Sequence, residues 1–303
     1  MLDLISSPET RARSVVRSKA PATCGEFVQG CIDGQHFLVN CPVDLYAEAG
    51  VRPCGADGVR ISHAGDFGKI IEAADVMRRT FHLELHHEIA IRSDIPRGKG
   101  MASSTADLTA ALQALCISCD MQLSDRQFAR VLTAVEPSDC VHFPGIAHVD
   151  HLGGRLFESL PAPAGMRVLV VDCGGEVDTV SFDRARAASI YRREEPAIRA
   201  ALHLMKLGLR RGDKHAVATA ATLSAQISQQ ILPKPQFNDL LACARHCGAL
   251  GVNCAHSGTV LGVLYDEDEA LGEMLADAVE DTFGAGVTIQ GDYRIIGGGR
   301  HAC

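Results

Sequence analysis

The stretch Ile95-Pro96-Arg97-Gly98-Lys99-Gly100-Met101-Ala102-Ser103-Ser104-Thr105-Ala106 decides how the rest of the chain is read. A proline, two glycines, a lysine and two serines fall within a few residues, and an apolar-periodic segment, Asp107 to Cys119, follows at once. Leu108, Ala111, Leu112, Leu115 and Cys119 recur at helical spacing, which predicts a helix with one apolar face. A glycine-rich loop running into a helix leaves unpaired backbone N–H groups at one spot, where the helix dipole favours an anion. Phosphate is the natural guest.

Working outward, Leu83 to Ile91 alternates apolar and polar residues, so a strand is expected to feed the loop. Residues 69–81 carry Ile70, Ile71, Ala74, Met77 and Phe81 at helical spacing. Residues 20–50 read as strands joined by turns, with Asp33-Gly34 a hairpin signal, and Val59 to Ile61 as another short strand. Downstream, Ser124-Asp125-Arg126-Gln127 opens a helix by side-chain capping, which ends near Glu136-Pro137. A strand follows at Arg155 to Leu160. Pro161-Ala162-Pro163-Ala164-Gly165 is the best linker candidate, and it sets a boundary between residues 1–164 and 165–303. Beyond it come a buried strand at 167–172, helices at 184–208, 213–230 and 235–249, a strand at 260–264, a helix at 268–282 and strands near 287–289 and 293–296. Strands mixed with helices without strict alternation argue an α+β chain in two domains.

Composition narrows the function classes. The chain has 303 residues, 47% hydrophobic and 22% charged, enough to bury a sizeable core. A formal net charge of −8 argues against a nucleic-acid or acidic-membrane partner, although it leaves room for a bound nucleotide. No apolar run reaches the roughly 20 residues that cross a bilayer. The stretch to Lys19 lacks the apolar core of a secretory signal. The twelve cysteines are scattered from Cys24 to Cys303 without paired zinc spacing, so reduced, mostly buried thiols in the cytoplasm are expected. His86-His87-Glu88 alternates across a strand, so both imidazoles cannot face one ion.

Other phosphate loops fail on inspection. No lysine has the Walker A context, the protein-kinase set is absent, and Gly297-Gly298-Gly299 sits too near the end for a helix to follow it. The stretch from Pro96 to Ala106 instead resembles the second signature of the GHMP kinases, Pro-x3-Gly-Leu-Gly-Ser-Ser-Ala-Ala. It departs at Met101, Ala102 and Thr105, and Ala102 matters most, because a methyl group limits how closely phosphate oxygens approach the backbone. Ala20-Pro21-Ala22-Thr23-Cys24-Gly25-Glu26 resembles the family's N-terminal signature, and Gly251 to Gly262 its third, without the usual Gly-Gly-Gly.

The resemblance implies a fold with a ribosomal S5 domain 2-like N-terminal half and a ferredoxin-like C-terminal half. It implies ATP and Mg2+, with Pro96, Arg97, Gly98, Lys99, Gly100, Met101, Ala102, Ser103, Ser104 and Thr105 around the ATP phosphates. Lys99 is nearly as well read as a solvated loop lysine. Glu136 stands where the family places its metal-binding glutamate, with Ser103 or Ser104 as hydroxyl ligand. Asp139, in Ser138-Asp139-Cys140-Val141-His142-Phe143, matches the catalytic aspartate; Asp150 and an ordinary turn at 138–139 are the rival readings. The wording at 21–30, at Glu136-Pro137-Ser138-Asp139, at 177–182 and at 255–258 resembles the branch that phosphorylates L-threonine for the aminopropanol linker of adenosylcobalamin. L-threonine and ATP are then the expected partners, with Glu26, Gln29 and Asp44 as candidates for reading the amino acid and a homodimer left open. A homoserine kinase, or a non-catalytic ligand-binding member of the family, is the alternative.

Overall fold

The longest hairpin turns at Asp33-Gly34, where both residues hold positive φ (50° and 75°), the conformation that suits the right-handed twist of the strands it joins. It connects β1 (Val16–Ile32) and β2 (Gln35–Pro53), paired from Val16↔Val51 to Ile32↔Gln35. The separate strands expected in residues 20–50 are therefore two long bent ones. Their register shifts between Pro21/Ala22, Thr23/Glu26 and Glu26/Val28. Bulges of this kind re-aim side chains, and here they act on Glu26.

The computed structural model describes residues 15–55, 57–62, 65, 67–175 and 184–302. In chain order the further elements are β3 (Gly58–Ile61), α1 (Gly68–Phe81), β4 (His86–Ser93), α2 (Ser103–Ser118), α3 (Asp125–Thr133), β5 (Ile146–Asp150), β6 (Arg155–Leu160) and β7 (Met166–Asp172). Then follow α4 (Arg184–Arg211), α5 (Lys214–Ser228), α6 (Phe237–His246), β8 (Gly251–Cys254), β9 (Val260–Asp266), α7 (Gly272–Phe283), β10 (Thr288–Arg294) and β11 (His301–Ala302).

One sheet runs through both halves of the chain in the order β10-β7-β9-β8-β1-β2-β4-β3, with β5, β6 and β11 joined alongside. The pairings are antiparallel except β3 with β4. The Pro161–Gly165 segment lies between β6 and β7, so the sheet continues past the proposed boundary. The main core gathers Phe27 and Val39 of the hairpin with Met77 of α1, Leu112 of α2, Met205 of α4 and Ala221 of α5. A second cluster packs Leu240 of α6 and Leu275 of α7 against Leu169, Val252 and Leu261.

The differences from expectation have physical causes. α2 buries nearly its whole circumference rather than one face, including Thr105, Asp107, Thr109 and Ala110. Alanine and threonine on its other faces are small enough for neighbours to close in, which a polarity pattern does not register. β4 begins at His86 rather than Leu83, because α1 ends in a left-handed His82 that must first unwind. The strands expected at 287–289 and 293–296 are one, β10, carried across Gly291 by a bulge. β5, β8 and β11 are too short to announce themselves. The capping box at Ser124 and Gln127 forms as read. His86 is exposed and His87 buried on β4, opposite sides as the alternation requires. No disulfide forms among the described cysteines. The 177–182 segment lies outside the described residues.

Candidate active site

The three glycine-containing signatures, far apart in sequence, are sewn together by backbone hydrogen bonds. Thr23 N–H donates to the Met101 carbonyl (3.1 Å) and Gly25 N–H to that of Gly100 (3.1 Å). From the turn between β8 and β9, Thr259 and Val260 N–H both donate to the Lys99 carbonyl, at 3.0 and 3.1 Å. A Cβ at Gly25 would lie 2.6 Å from Ala255 N, and one at Gly258 would press on the backbone of Lys99 and Gly100. Glycine is required there because backbone passes directly over backbone.

The loop then delivers its chain to the start of α2. Gly98 and Gly100 hold φ of 71° and 85°, and Ala102 is the helix's N-cap in the left-handed region, φ 58° and ψ 28°, with no side-chain cap. The family's glycine at this position thus has a conformational reason as well as a spatial one. Alanine here carries a left-handed strain of about 1 kcal/mol, while its methyl is buried.

Around this N-terminus the side chains sort into two groups. Ser104 Oγ donates to Glu136 Oε1 (2.5 Å), and Lys69 of α1 donates to Glu136 Oε2 (2.6 Å). Ser104 and Glu136 are thus brought together as expected, whereas Ser103 has no bond to Glu136 among the described residues. Lys99 is partly exposed but not free: it pairs with Asp172 at the end of β7 (2.9 Å), and Thr259 Oγ1 donates to the same carboxylate (2.5 Å). Burial works against the Asp172 charge, but Lys99, Thr259 and the Gly174 N–H hold its pKa below the usual range. Arg97 pairs with the buried Asp107 (3.2 Å). Met101 and Thr105 are buried, and Pro96 is half-buried.

The second group centres on Asp139. Its N–H donates to Thr105 Oγ1 (3.5 Å), and its carbonyl accepts from Asn40 Nδ2 (3.4 Å), so α2 and β2 both fix it. Glu26, Asp139 and His256 bring their ligand atoms within 4.8 Å of one another, the one such cluster of metal-binding side-chain types among the described residues. Both Glu26 oxygens are engaged by His256: Oε2 takes its backbone N–H (2.8 Å) and Oε1 its ring Nδ1 (2.7 Å). Burial opposes a charge on His256, yet Glu26, followed by Asp139, overrides it and lifts the imidazole to about 9. Burial first, then Glu26 and Glu136, push Asp139 up to about 6, against the pull of His256 and Thr105.

The rival Asp150 is occupied otherwise, its Oδ1 accepting the Leu152 and Gly153 N–H groups of a tight turn. Gln29 lines a cavity of about 450 Å³ that opens beside His256, with His36, His151, Tyr191 and Ser228 among its walls. Asp44 is not brought to this cluster; it is exposed and accepts the Arg294 N–H (2.9 Å). His256, Lys69 and Asp172 escaped the sequence reading. His256 lies inside the third signature and could have been flagged there, but nothing local marks Lys69 or Asp172.

A hydroxyl and a carboxylate in contact at a helix start form a hard oxygen pair of the kind Mg2+ takes, with phosphate and water completing its shell. The Lys69 ammonium on Glu136 already marks the spot as one for a cation.

Residues 68–144 match the GHMP kinases N terminal domain, and residues 197–282 the GHMP kinases C terminal. The chain is 32% identical over 253 residues to an L-threonine kinase of Citrobacter freundii, covering 83% of this chain and 86% of that one. This chain belongs to the GHMP kinase family. An L-threonine kinase of Salmonella typhimurium is 30% identical over 255 residues, covering 84% of each. In fold the chain is similar to a homoserine kinase from Cytophaga hutchinsonii, with a TM-score of 0.74 at 18% identity, covering 99% of this chain and 100% of that one. The mixed α/β fold with its continuous sheet is that of the GHMP kinases, small-molecule kinases as a class. No described helix is long and apolar enough to cross a membrane.

Proposed function

We propose that this GHMP kinase transfers the γ-phosphoryl group of ATP to the side-chain hydroxyl of L-threonine, giving L-threonine O-3-phosphate for the aminopropanol linker of adenosylcobalamin, in the cytoplasm. The observation that carries this reading is the placement of Asp139. Its backbone is bonded to Thr105 at the start of α2 and to Asn40, and its carboxylate lies within 4.8 Å of His256, which lines the cavity. The likeness to two L-threonine kinases over more than four-fifths of the chain supports the choice of acceptor.

In this reading the loop from Pro96 to Thr105 and the N-terminus of α2 cradle the ATP phosphates. Ser104 and Glu136 would hold Mg2+, which supplies charge neutralisation on the phosphates when bound. Lys99, anchored by Asp172, stands at the side of the loop where it can shift toward phosphate. Asp139 accepts the proton of the acceptor hydroxyl and aligns its oxygen for in-line attack. A carboxyl raised to about 6 is ionised at neutral pH and still basic enough to take that proton. Most of the rate comes from positioning and from charge stabilisation. The amino acid occupies the cavity that Gln29 lines.

The test is ATP consumption with threonine, serine and homoserine as acceptors. Threonine should give the highest kcat/KM and a phosphorylated product. A preference for homoserine, or ATP turnover with no amino-acid acceptor at all, would overturn the assignment. Asp139→Asn and Glu136→Ala should each abolish turnover with the fold retained.

A further inference from the structure

Two carboxylates, Glu26 and Asp139, stand close together, with ligand oxygens within 4.8 Å of each other, and burial drives the carboxyl of Asp139 toward the neutral form. One imidazole, that of His256, lies within 4.8 Å of both. Glu26 grips it twice, through the ring and through the backbone, so its position and its charge are both fixed. Among the described residues Glu26 uses its side chain on His256, while His256 Nε2 has no hydrogen-bond partner.

We propose that His256, held as an imidazolium by Glu26, is the positioning residue that keeps the Asp139 carboxylate charged and aimed at the acceptor hydroxyl. The inference rests on Asp139 being the group that receives the hydroxyl proton. Glu26 then acts on the reaction through His256 rather than by touching the amino acid.

The groups that face this pair come from several elements. Asp139 feels His256 and Glu26 across the site, Glu136 from its own segment and Thr105 from α2. His256 feels Glu26 from β1, Asp139, and the Lys234 ammonium from the segment before α6. The His151 ring lies against it at 5.5 Å. Lys234 is committed to the Ala255 carbonyl at 3.0 Å, and burial leaves His151 neutral with a pKa of about 4. Neither replaces His256 as the counter-charge to Asp139. Without it, the described groups that act on Asp139 are the like charges of Glu26 and Glu136 and the hydrogen bond with Thr105.

The experiment is the pH profile of kcat/KM for the amino acid in the full chain, from about pH 5.5 to 9.5, for wild type, His256→Gln, His256→Lys and Asp139→Asn. The acid limb of His256→Gln should move up by about one pH unit, so that activity falls roughly tenfold on the acid side and recovers on the alkaline side. KM for ATP should stay within about twofold. His256→Lys, which restores a cation, should bring the limb back. Glu26→Gln should let His256 lose its proton near neutrality and add a decline in activity as the pH rises. An equal loss at every pH with the acid limb unmoved would overturn the proposal, by making His256 merely structural. So would a raised Mg2+ requirement in place of the limb shift, since the three side chains would then be ligands of a metal. If Asp139→Asn is inactive and the His256→Gln limb is unmoved, this inference alone falls; if Asp139→Asn turns over normally, the reading beneath it falls as well.

Discussion

Replacing Gly258 by alanine should damage nucleotide binding, although residue 258 is more than 150 positions from the phosphate loop in sequence. A methyl built there comes within 3.0 Å of the Lys99 carbonyl oxygen and of Gly100 N and Cα. All three are backbone atoms, so no side-chain rotation can relieve the clash. The loop must retreat by roughly 1 Å to restore ordinary contact. Overpacking of this kind costs about 1–3 kcal/mol. The retreat also stretches the hydrogen bonds from Thr259 and Val260 into the Lys99 carbonyl, now 3.0 and 3.1 Å, each worth about 1 kcal/mol. Together these give about 3–5 kcal/mol, or a fall in Tm of roughly 5–8 °C for a chain of this length. A 1 Å shift in a phosphate cradle can cost on the order of 100-fold in rate. Calorimetry and the KM for ATP measure both effects. Gly34→Ala is the control. Its φ is +75° and nothing lies within 4 Å of the added methyl, so it should cost about 1–2 kcal/mol of backbone strain and leave the KM for ATP untouched. A Gly258→Ala protein with unchanged Tm and unchanged KM for ATP would refute the claim that the third signature clamps the loop.

Three further outcomes are expected. His256 is raised from 6.5 to about 9, so its contribution to stability is complete below 6.5 and is lost as the pH climbs through about 9. Between those values the unfolding free energy of wild type should fall relative to His256→Gln, on the order of 1 kcal/mol per pH unit; parallel curves from denaturant titration would contradict this. Ala102→Gly relieves the left-handed strain but loosens the unfolded chain and exposes space for one buried methyl, so its net effect should stay within about 1 kcal/mol. Ala102→Val, β-branched in the same conformation, should cost clearly more, and thermal melts of both variants decide the matter. Lys69→Met removes the cation that now sits on Glu136; because Lys69 is half-exposed the pair is worth up to about 1 kcal/mol, and the half-saturating Mg2+ concentration should drop by up to roughly fivefold, read from initial rates.

What the sequence disclosed depended on the range of each interaction. The loop from Pro96 to Ala106, the hairpin at Asp33-Gly34 and the capping box at Ser124 are local, and each was legible because a handful of adjacent residues determines the backbone there. The contact of Ser104 with Glu136 was half legible: the family resemblance offered Ser103 or Ser104 beside Glu136, and the fold brings Ser104 there. The pairing of Glu26 with His256 spans 230 positions, and no periodicity records it. Asp172 reads as the last residue of a buried strand until Lys99 and Thr259 are seen upon it. The sequence offers Glu26 as a candidate for reading the amino acid, but its placement against His256 depends on two register shifts in β1 that leave no signature in composition.

The hydrogen bonds that stitch residues 23 and 25 to the loop on one side, and 259 and 260 on the other, also govern when the loop can first take its finished shape. A ribosome makes the loop and α2 early, and the elements up to β6 can begin to pair while the remaining half is still unmade. Yet the Lys99 carbonyl meets its donors, Thr259 and Val260, only once those residues have emerged, and long-range pairings of this kind form late. A nascent or prematurely terminated chain would therefore carry the loop's sequence without its finished shape. If the loop holds ATP as proposed, a chain that stops before residue 259 should lack the loop shape that the nucleotide needs.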